Sequence, residues 1–509
     1  MLGPVEALSA TASGRTAVQT QAIPHPPYRL PLLGDILGAR PSRPVQTSIA
    51  LSRRLGPIFV RKFLYREILL VAGAELAADL SDETRFAKHV GLGVDNLRRL
   101  AGDGLFTAYN SEPNWQLAHD ILLPAFARGA MESYHPVMLD VARELIADWD
   151  AKADGPPVDV AADMTKLTLE TIGRTGFGYS FQSFERERPH PFVAAMVAAL
   201  RHAQLRSFRF PVISRLLGAR RADRRNDVQL AYMSDLVDEV IRTRRESGAG
   251  GDDLLGRMLN EPHPETGEKL SDLNIRNQVI TFLVAGHETT SGALSFALYY
   301  LSRNPGALEK ARAEVDAAWG QESDPKPAYG EVAKLRYVRR VLDESLRLWP
   351  TAPAYARVAR EDTMLGGRYP MSAGDWAFVL IPGVHRDPAV WGPDAESFDP
   401  DRFAPGRVRE RPAHSYKPFG TGERACIGRQ FAIHEATLVL ALLLHRYELI
   451  PDPAYELRVT ELLTVKPEGF TLRLRRRTAA APRPAAGPPA RPERDEEPAC
   501  PYAGGVSGR

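Results

Sequence analysis

A single long helical pattern between Ser271 and Pro305 limits the folds open to this chain more than any other feature. Ser271 is suited to cap the start of a helix, and Pro305 stops the helix that follows. About 30 residues at 1.5 Å each predict a rod of roughly 45–50 Å, which is long enough to cross a whole domain. We therefore expect the domain to be built around one central helix.

Helical periodicity dominates the remainder of the sequence. Apolar residues three and four apart recur in residues 138–149, 230–244, 335–348 and 430–444. Short strand-like stretches occur in residues 58–61, 68–71, 376–381 and 470–474. The pattern predicts a mainly α fold with small β-sheets.

Composition sets the domain organisation and the compartment. The 509 residues, 44% of them hydrophobic, suffice for a large buried core. We expect a flexible N-terminal arm at residues 1–27, one domain at 28–477, and a disordered Pro/Ala/Arg-rich tail at 478–509. A net charge of +2 gives no reason to expect a nucleic-acid partner. With two cysteines, no signal peptide and no transmembrane segment, the chain is expected to be cytoplasmic.

A glycine-rich segment at residues 419–428 surrounds one of those cysteines, Cys426, and a helix follows at once. Glycines allow close approach to a flat ligand, and the start of a helix stabilises a thiolate. A thiolate bound to haem iron favours O–O cleavage, and Arg424 is placed to pair with a haem propionate. By itself, the segment is also compatible with a buried free cysteine in a turn. Cys500, in the tail, has no such surroundings.

The middle of the long helix carries a polar cluster at residues 285–292. Thr289 can hydrogen-bond a backbone carbonyl one turn back or a ligand, and Glu288 adds a carboxylate. An alcohol and an acid beside bound dioxygen form a proton relay. A threonine cluster satisfied by its own backbone is the alternative.

These segments resemble the cytochrome P450 family. Phe419, Gly422, Arg424, Cys426 and Gly428 match its haem-binding signature F-x-x-G-x-R-x-C-x-G, and residues 285–290 resemble its A/G-G-x-E/D-T-T motif. Residues 101–126, 282–300, 344–355 and 419–444 are similar to the haem domain of self-sufficient bacterial fatty-acid hydroxylases. The resemblance implies the cytochrome P450 fold, with haem b between the long helix and the cysteine loop.

Family roles follow at matched positions. The resemblance implies that Cys426 is the axial iron ligand and that Thr289 and Glu288 are catalytic. The residues expected to contact haem are Trp115, His119, Phe419, Gly422, Arg424, Gly428, Lys88 and, from the wider family, Arg357. The residues expected to line the substrate pocket are Phe106, Ala285, Ala352 and Arg66. Glu344 and Arg347 are expected to join Arg402 in a buried structural network.

Three departures from the fatty-acid enzymes bear on the substrate and on the source of electrons. Leu70 stands where those enzymes have a tyrosine that helps an arginine, here Arg66, to anchor a carboxylate. Residues 201–225 are unusually basic, which indicates either a solvated face or attraction for an anionic substrate, a carrier-bound substrate or an acidic membrane. No flavodoxin-like or dinucleotide-binding motif follows the domain, so a separate ferredoxin- or flavodoxin-type partner or reductase is expected.

The resemblance therefore implies a haem monooxygenase that uses O₂ and external electrons, ultimately from NAD(P)H. The leading hypothesis for its substrate is a fatty acid or fatty-acyl-like lipophilic molecule. A tailoring oxidase of secondary metabolism is the main alternative, and a haem sensor or carrier without turnover is a third. The intact Glu288-Thr289 pair disfavours the third.

Overall fold

The computed structural model describes residues 22–64, 66–186, 188–207, 219–248 and 251–477. Residues 1–21, residues 208–218 of the basic segment and the tail with Cys500 lie outside these ranges. The proposed division of the chain into arm, domain and tail therefore stays a prediction. Within the described part, helices predominate and the strands are short, so the predicted mainly α class is confirmed.

The helices are α1 Pro44–Leu55, α2 Ala74–Asp79, α3 Leu92–Ala101, α4 Asn114–Leu122, α5 Arg128–Lys152, α6 Val160–Phe177, α7 Pro191–Ser207, α8 Ala219–Ser247, α9 Leu254–Asn260, α10 Asp272–Arg303, α11 Pro305–Trp319, α12 Tyr329–Val332, α13 Arg336–Leu348, α14 Ile381–Val384, α15 Pro388–Trp391, α16 Pro405–Glu410 and α17 Arg429–Arg446. The strands are β1 Ile58–Phe63, β2 Arg66–Val71, β3 Phe86–His89, β4 Val158–Asp159, β5 Ala354–Ala359, β6 Thr363–Leu365, β7 Tyr369–Met371, β8 Trp376–Leu380, β9 Tyr447–Pro451, β10 Val459–Glu461, β11 Val465–Pro467 and β12 Thr471–Arg476.

The long helix α10 forms as its sequence predicts. The Ser271 side chain accepts a hydrogen bond from the backbone N–H of Asn274 at 3.2 Å, and Pro305 begins the next helix. Its 32 residues span about 48 Å. The helix packs against α6, α13, α17 and β11, and most of its side chains are buried on every side.

The strands form a five-stranded sheet and three smaller sheets. In the large sheet the order is β1-β2-β8-β5-β3, with β2 and β8 parallel and the other pairs antiparallel. The β1–β2 hairpin therefore joins the rest of the sheet through β2, which lies beside β8. Among the described residues, no helix combines the length and apolar composition needed to span a membrane.

A buried ion network links α13 to the segment that precedes the cysteine loop. Arg347 donates from Nε and Nη2 to the Glu344 carboxylate at 2.6 and 2.7 Å, and from Nη1 to the carbonyl oxygens of His385 and Ala395. Arg402 Nε lies 3.6 Å from the same carboxylate. Glu344, Arg347 and Arg402 are all buried, so the predicted network is confirmed.

Removing the buried carboxylate leaves Arg347 without its counter-charge and leaves Arg402 with only the exposed Asp394 as an acidic partner. We expect Glu344→Gln to lower the free energy of unfolding by about 3–5 kcal/mol in denaturant titrations followed by circular dichroism. The exposed pair Arg128–Glu132, 2.9 Å apart, is the control. Glu132→Gln should cost about 0.3–0.5 kcal/mol, and a similarly small loss for Glu344→Gln would contradict a structural role for the network.

Candidate active site

Cys426 lies in a tight loop between a 3₁₀ turn, Gly422–Arg424, and the start of α17. Its backbone N–H donates to the carbonyl oxygen of Phe419 at 2.9 Å, which closes the loop. Gly422 has a φ of +68°, and a Cβ there would lie 1.9 Å from Oε1 of Glu83. The loop therefore requires glycine at this position for both its backbone conformation and its close contact.

The Cys426 thiol has exposed surface although protein surrounds it, which places it on an interior space. Burial raises the pKa of the thiol, and the Gly428 N–H and the Arg429 charge oppose that rise only in part. The start of α17 therefore lowers the pKa of the thiol, as predicted, but not enough to ionise the sulfur. A bound metal cation deprotonates a coordinating thiol. A Cβ at Gly428 would make only an ordinary 3.6 Å contact with Phe126, so protein atoms alone do not require glycine there.

One turn in the middle of α10 also borders open space. Ala285 is exposed and Thr289, one turn on, is half-buried, while most other residues in the middle of this helix are buried. Ala352 is exposed in the segment before β5, and Phe106 is 41% exposed. The predicted pocket residues Phe106, Ala285 and Ala352 are therefore all exposed, so a ligand can contact them.

Thr289 and Glu288 project in different directions from α10. Thr289 Oγ1 donates to the carbonyl oxygen of Ala285 at 2.8 Å, as expected for a helical threonine. The Glu288 carboxylate is fully buried and accepts hydrogen bonds from Lys466 Nζ and Thr464 Oγ1, both at 3.0 Å. The structure therefore does not bring the two predicted catalytic groups into a direct hydrogen bond.

Lys466 controls the charge of Glu288. Burial raises the pKa of this carboxyl, but Lys466 and the neighbouring His287 more than offset that effect, and the net pKa lies below the ordinary value. Glu288 is thus held ionised inside the protein. Sequence reasoning missed Lys466 and Thr464, because nothing in their local pattern indicates which helix β11 will meet.

The loop that carries Phe106 is tied to α10 by a buried polar cluster. The Asp103 carboxylate accepts hydrogen bonds from the side-chain amides of Asn114, Asn274 and Asn277 at 2.6–3.0 Å. These residues were also missed, although Asn274 and Asn277 are three apart near the start of α10. That spacing places both amides on one face and could have indicated a polar partner.

Two cations stand beside Trp115 with few protein partners. The Arg424 guanidinium stacks over the Trp115 ring at 3.9 Å and makes only long hydrogen bonds of 3.3 and 3.4 Å. Lys88 Nζ donates to the Phe106 carbonyl oxygen at 2.6 Å. Burial, with repulsion from Arg424 and Arg98, lowers the pKa of Lys88 to about 7. This accumulation of positive charge fits an anionic ligand.

His119 and Arg357 lie close to these cations but are held by protein groups. The His119 ring stacks on Trp115 at 4.9 Å, and its Nδ1 lies 3.2 Å from Asp120. Arg357 pairs directly with Lys88 across strands β5 and β3. Its Nε and Nη2 donate to backbone carbonyl oxygens at 2.9 and 3.0 Å, and Nη1 lies 3.7 Å from Oε1 of Glu83.

A large cavity opens between the β1–β2 hairpin, α3, α7 and strands β5 and β8. Its volume, measured for the centre of a water-sized sphere, is about 260 Å³. Arg66 and Leu70 line it, as do Gln204 and Ser207 at the end of α7, so the basic segment begins at this cavity. Its other lining side chains are mostly apolar. Phe106, Ala285 and Ala352 are not among the lining residues, although Ala352 directly precedes two that are.

A sulfur on an interior space, an open turn of the central helix and a cluster of cations together fit a site for an anionic cofactor bound through a thiolate. The sequence profile of the cytochrome P450 family matches residues 24–473. The chain therefore belongs to the cytochrome P450 family.

Curated relatives support this assignment over most of the chain. A bifunctional cytochrome P450/NADPH–P450 reductase of Bacillus cereus is 48% identical over 468 residues, covering 91% of this chain and 43% of the relative. A protein of the same description from Bacillus subtilis is 46% identical over 90% of this chain and 43% of its own length. A self-sufficient cytochrome P450 monooxygenase of Phanerodontia chrysosporium is 40% identical over 89% of this chain and 42% of its own length. The chain thus spans less than half the length of these relatives.

Cytochrome P450 proteins use haem b, with O₂ and electrons that reach it from NAD(P)H through a reductase. The residues present here fit that cofactor. Cys426 offers a sulfur on an interior space, and the under-neutralised charges of Lys88 and Arg424 suit the propionates. We expect Cys426 to bind the iron and the cations beside Trp115 to hold the carboxylates.

Ligation by Cys426 has a direct spectroscopic test. The reduced protein with CO should show the long-wavelength Soret band that strong electron donation from a thiolate produces. Cys426→Ser should remove that band, while Cys500→Ser, which changes the other cysteine, should retain it. Retention of the band in Cys426→Ser would overturn the assignment of Cys426 as the iron ligand.

Proposed function

We propose that this chain is the haem domain of a monooxygenase that acts on a fatty acid or fatty-acyl-like lipophilic molecule. One oxygen atom of O₂ enters a C–H bond, and the other leaves as water after two electrons and two protons are taken up. The observation that carries this proposal is the placement of an interior cysteine and an open turn of α10 in a member of the cytochrome P450 family. When bound, haem supplies the activation of O₂.

The protein's own contribution begins with an apolar binding space. The cavity beside the β1–β2 hairpin is lined mainly by aliphatic and aromatic side chains, which favour a hydrocarbon body over water. We propose that Ala285, Ala352 and Phe106 form the narrower part of the pocket near the reacting carbon. Arg66, which is exposed, is proposed to attract the polar end of the substrate as it enters the cavity.

Proton delivery is proposed to use Thr289 and Glu288. Thr289 Oγ1 lies on the open turn of α10, where it can donate to a ligand in place of the Ala285 carbonyl. Glu288 can supply protons only after its side chain leaves Lys466 and Thr464, because both carboxylate oxygens are engaged there. The relay therefore requires a rotation of Glu288 or intervening water.

The electrons are proposed to come from NAD(P)H through a reductase. The Bacillus relatives carry a reductase within the same chain, as their names state. A separate ferredoxin- or flavodoxin-type carrier for this chain stays a prediction, as does its cytoplasmic location.

A tailoring oxidase of secondary metabolism is the second candidate. Leu70 lines the cavity at the position where the fatty-acid enzymes have a tyrosine, so the expected donor for a carboxylate is missing there. A neutral polycyclic or polyketide-like substrate would not need that donor.

Substrate binding can separate these candidates. Fatty acids should give a type I spectral shift, the absorbance change that reports loss of water from the ferric haem, in titrations of the haem-loaded protein. Neutral polyketide- and terpenoid-like compounds of similar size are the comparison set. A shift with the neutral compounds alone would eliminate the fatty-acid proposal and favour the tailoring oxidase.

Thr289→Ala tests the proton relay. The variant should still consume NAD(P)H in the presence of a reductase. The amount of product per NAD(P)H should fall severalfold and the amount of hydrogen peroxide should rise, because the hydroxyl proposed to pass on protons is missing. Thr290→Ala is the matched control, since Thr290 is buried on the adjacent face of α10. Unchanged coupling in Thr289→Ala would show that the relay does not use this hydroxyl.

A further inference from the structure

A buried arginine, Arg61, lines the cavity beside the exposed Arg66. The two residues are on the same face of the β1–β2 hairpin, because Arg61 pairs with Ile68 and residues two apart share a face. Arg66 and Leu70 are the two diagonal neighbours of Arg61, each with Cα atoms roughly 7–8 Å away. Arg61 is only 5% exposed. The cavity thus has one cation at its rim and a second inside it.

The Arg61 guanidinium makes few hydrogen bonds to the described part of the protein. Nη2 donates to the Gly38 carbonyl oxygen at a long 3.3 Å, which is its one hydrogen bond in the described part of the chain. Nε is buried and has no partner there. The guanidinium also lies 4.7 Å from the centre of the Phe63 ring. A buried arginine with most of its five donors unused is unusual, because each buried polar group without a partner costs free energy.

The charge of Arg61 is not neutralised by a nearby carboxylate. Asp35 is the acidic residue whose charge acts on Arg61. Its carboxylate already accepts two hydrogen bonds of 3.0 Å from Arg29 and one of 2.7 Å from the Lys62 backbone. Burial lowers the pKa of Arg61 in spite of Asp35. Arginine nevertheless remains charged in proteins, so the cavity wall holds a cation that lacks its own counter-ion.

Apart from Arg61 and Arg66, no charged side chain lines this cavity in the described ranges, and none of its lining residues is acidic. The polar neighbours are already engaged. Ser48, Gln204 and Ser207 donate to the backbone carbonyls of Pro44, Pro41 and Ala203. An apolar cavity with unopposed positive charge selects a molecule with a hydrocarbon body and an anionic end.

We propose that Arg61 binds the carboxylate of an acidic lipophilic substrate inside the channel. This inference rests on the proposed function and adds to it both the charge of the substrate and the side chain that recognises it. Arg61 supplies a strong donor next to Leu70, where the expected tyrosine hydroxyl is absent. Because Arg61 is buried and Arg66 is exposed, the carboxylate of the substrate is held below the channel mouth. Arg66 attracts the carboxylate as the substrate enters.

Paired ligands isolate the recognition of the carboxylate. Tetradecanoic acid and methyl tetradecanoate share a chain and differ in charge, and both are titrated into haem-loaded protein by the type I shift. Arg61→Met should weaken binding of the acid by at least about tenfold, as expected for loss of a charged hydrogen bond, and should leave ester binding within about twofold. Arg61→Lys should retain most of the preference for the acid. Arg66→Met is the matched control at the exposed position and should have the smaller effect on acid affinity.

The outcomes distinguish this inference from the proposed function. An equal loss of acid and ester binding in Arg61→Met would mean that Arg61 only packs against Phe63, and a larger effect of Arg66→Met would place the anchor at the mouth. Either result overturns the inference and leaves the monooxygenase proposal intact. If neither ligand gives a shift with the unaltered protein, the acyl substrate class fails as well. Arg61→Gln provides a second neutral variant if Arg61→Met does not take up haem.

Discussion

The packing of α10 through the centre of the domain is the constraint on which the other features depend. This helix is buried against α6, α13, α17 and β11 along most of its length, and the turn with Ala285 and Thr289 in its middle faces open space. The core of the fold and the wall of the site are therefore the same element. Changes that disturb the packing of α10 also disturb the position of Thr289.

Much of the fold could be predicted because its signals are local. The cap at Ser271, the stop at Pro305 and the apolar periodicity of α5, α8, α13 and α17 depend on neighbours within one or two turns. The buried network of Glu344, Arg347 and Arg402 was predicted from motifs at two separate places in the chain. That prediction relied on the family resemblance, because an E-x-x-R pair alone is more often exposed to solvent.

The features that were not predicted arise from contacts between residues far apart in sequence. Glu288 meets Lys466 across 178 positions, so no local pattern reveals that its carboxylate is ionised and turned from Thr289. Arg61 is one of many arginines in this chain. It becomes distinctive only when folding buries it against a cavity without an acidic partner. Local sequence specifies elements and loop chemistry, whereas the ionic surroundings of a side chain require the assembled structure.

The close approach of the Phe106 loop to α10 restricts how this channel can diversify. A Cβ at Gly104 would lie 2.1 Å from Thr281 Oγ1, and one at Gly102 would lie 2.3 Å from Asn277 Nδ2. Neither glycine can accept a larger residue unless the helix changes with it. Variation in substrate range among descendants of this sequence is therefore expected to arise from the side chains that the loop presents, such as Phe106, while the path of the loop is inherited unchanged.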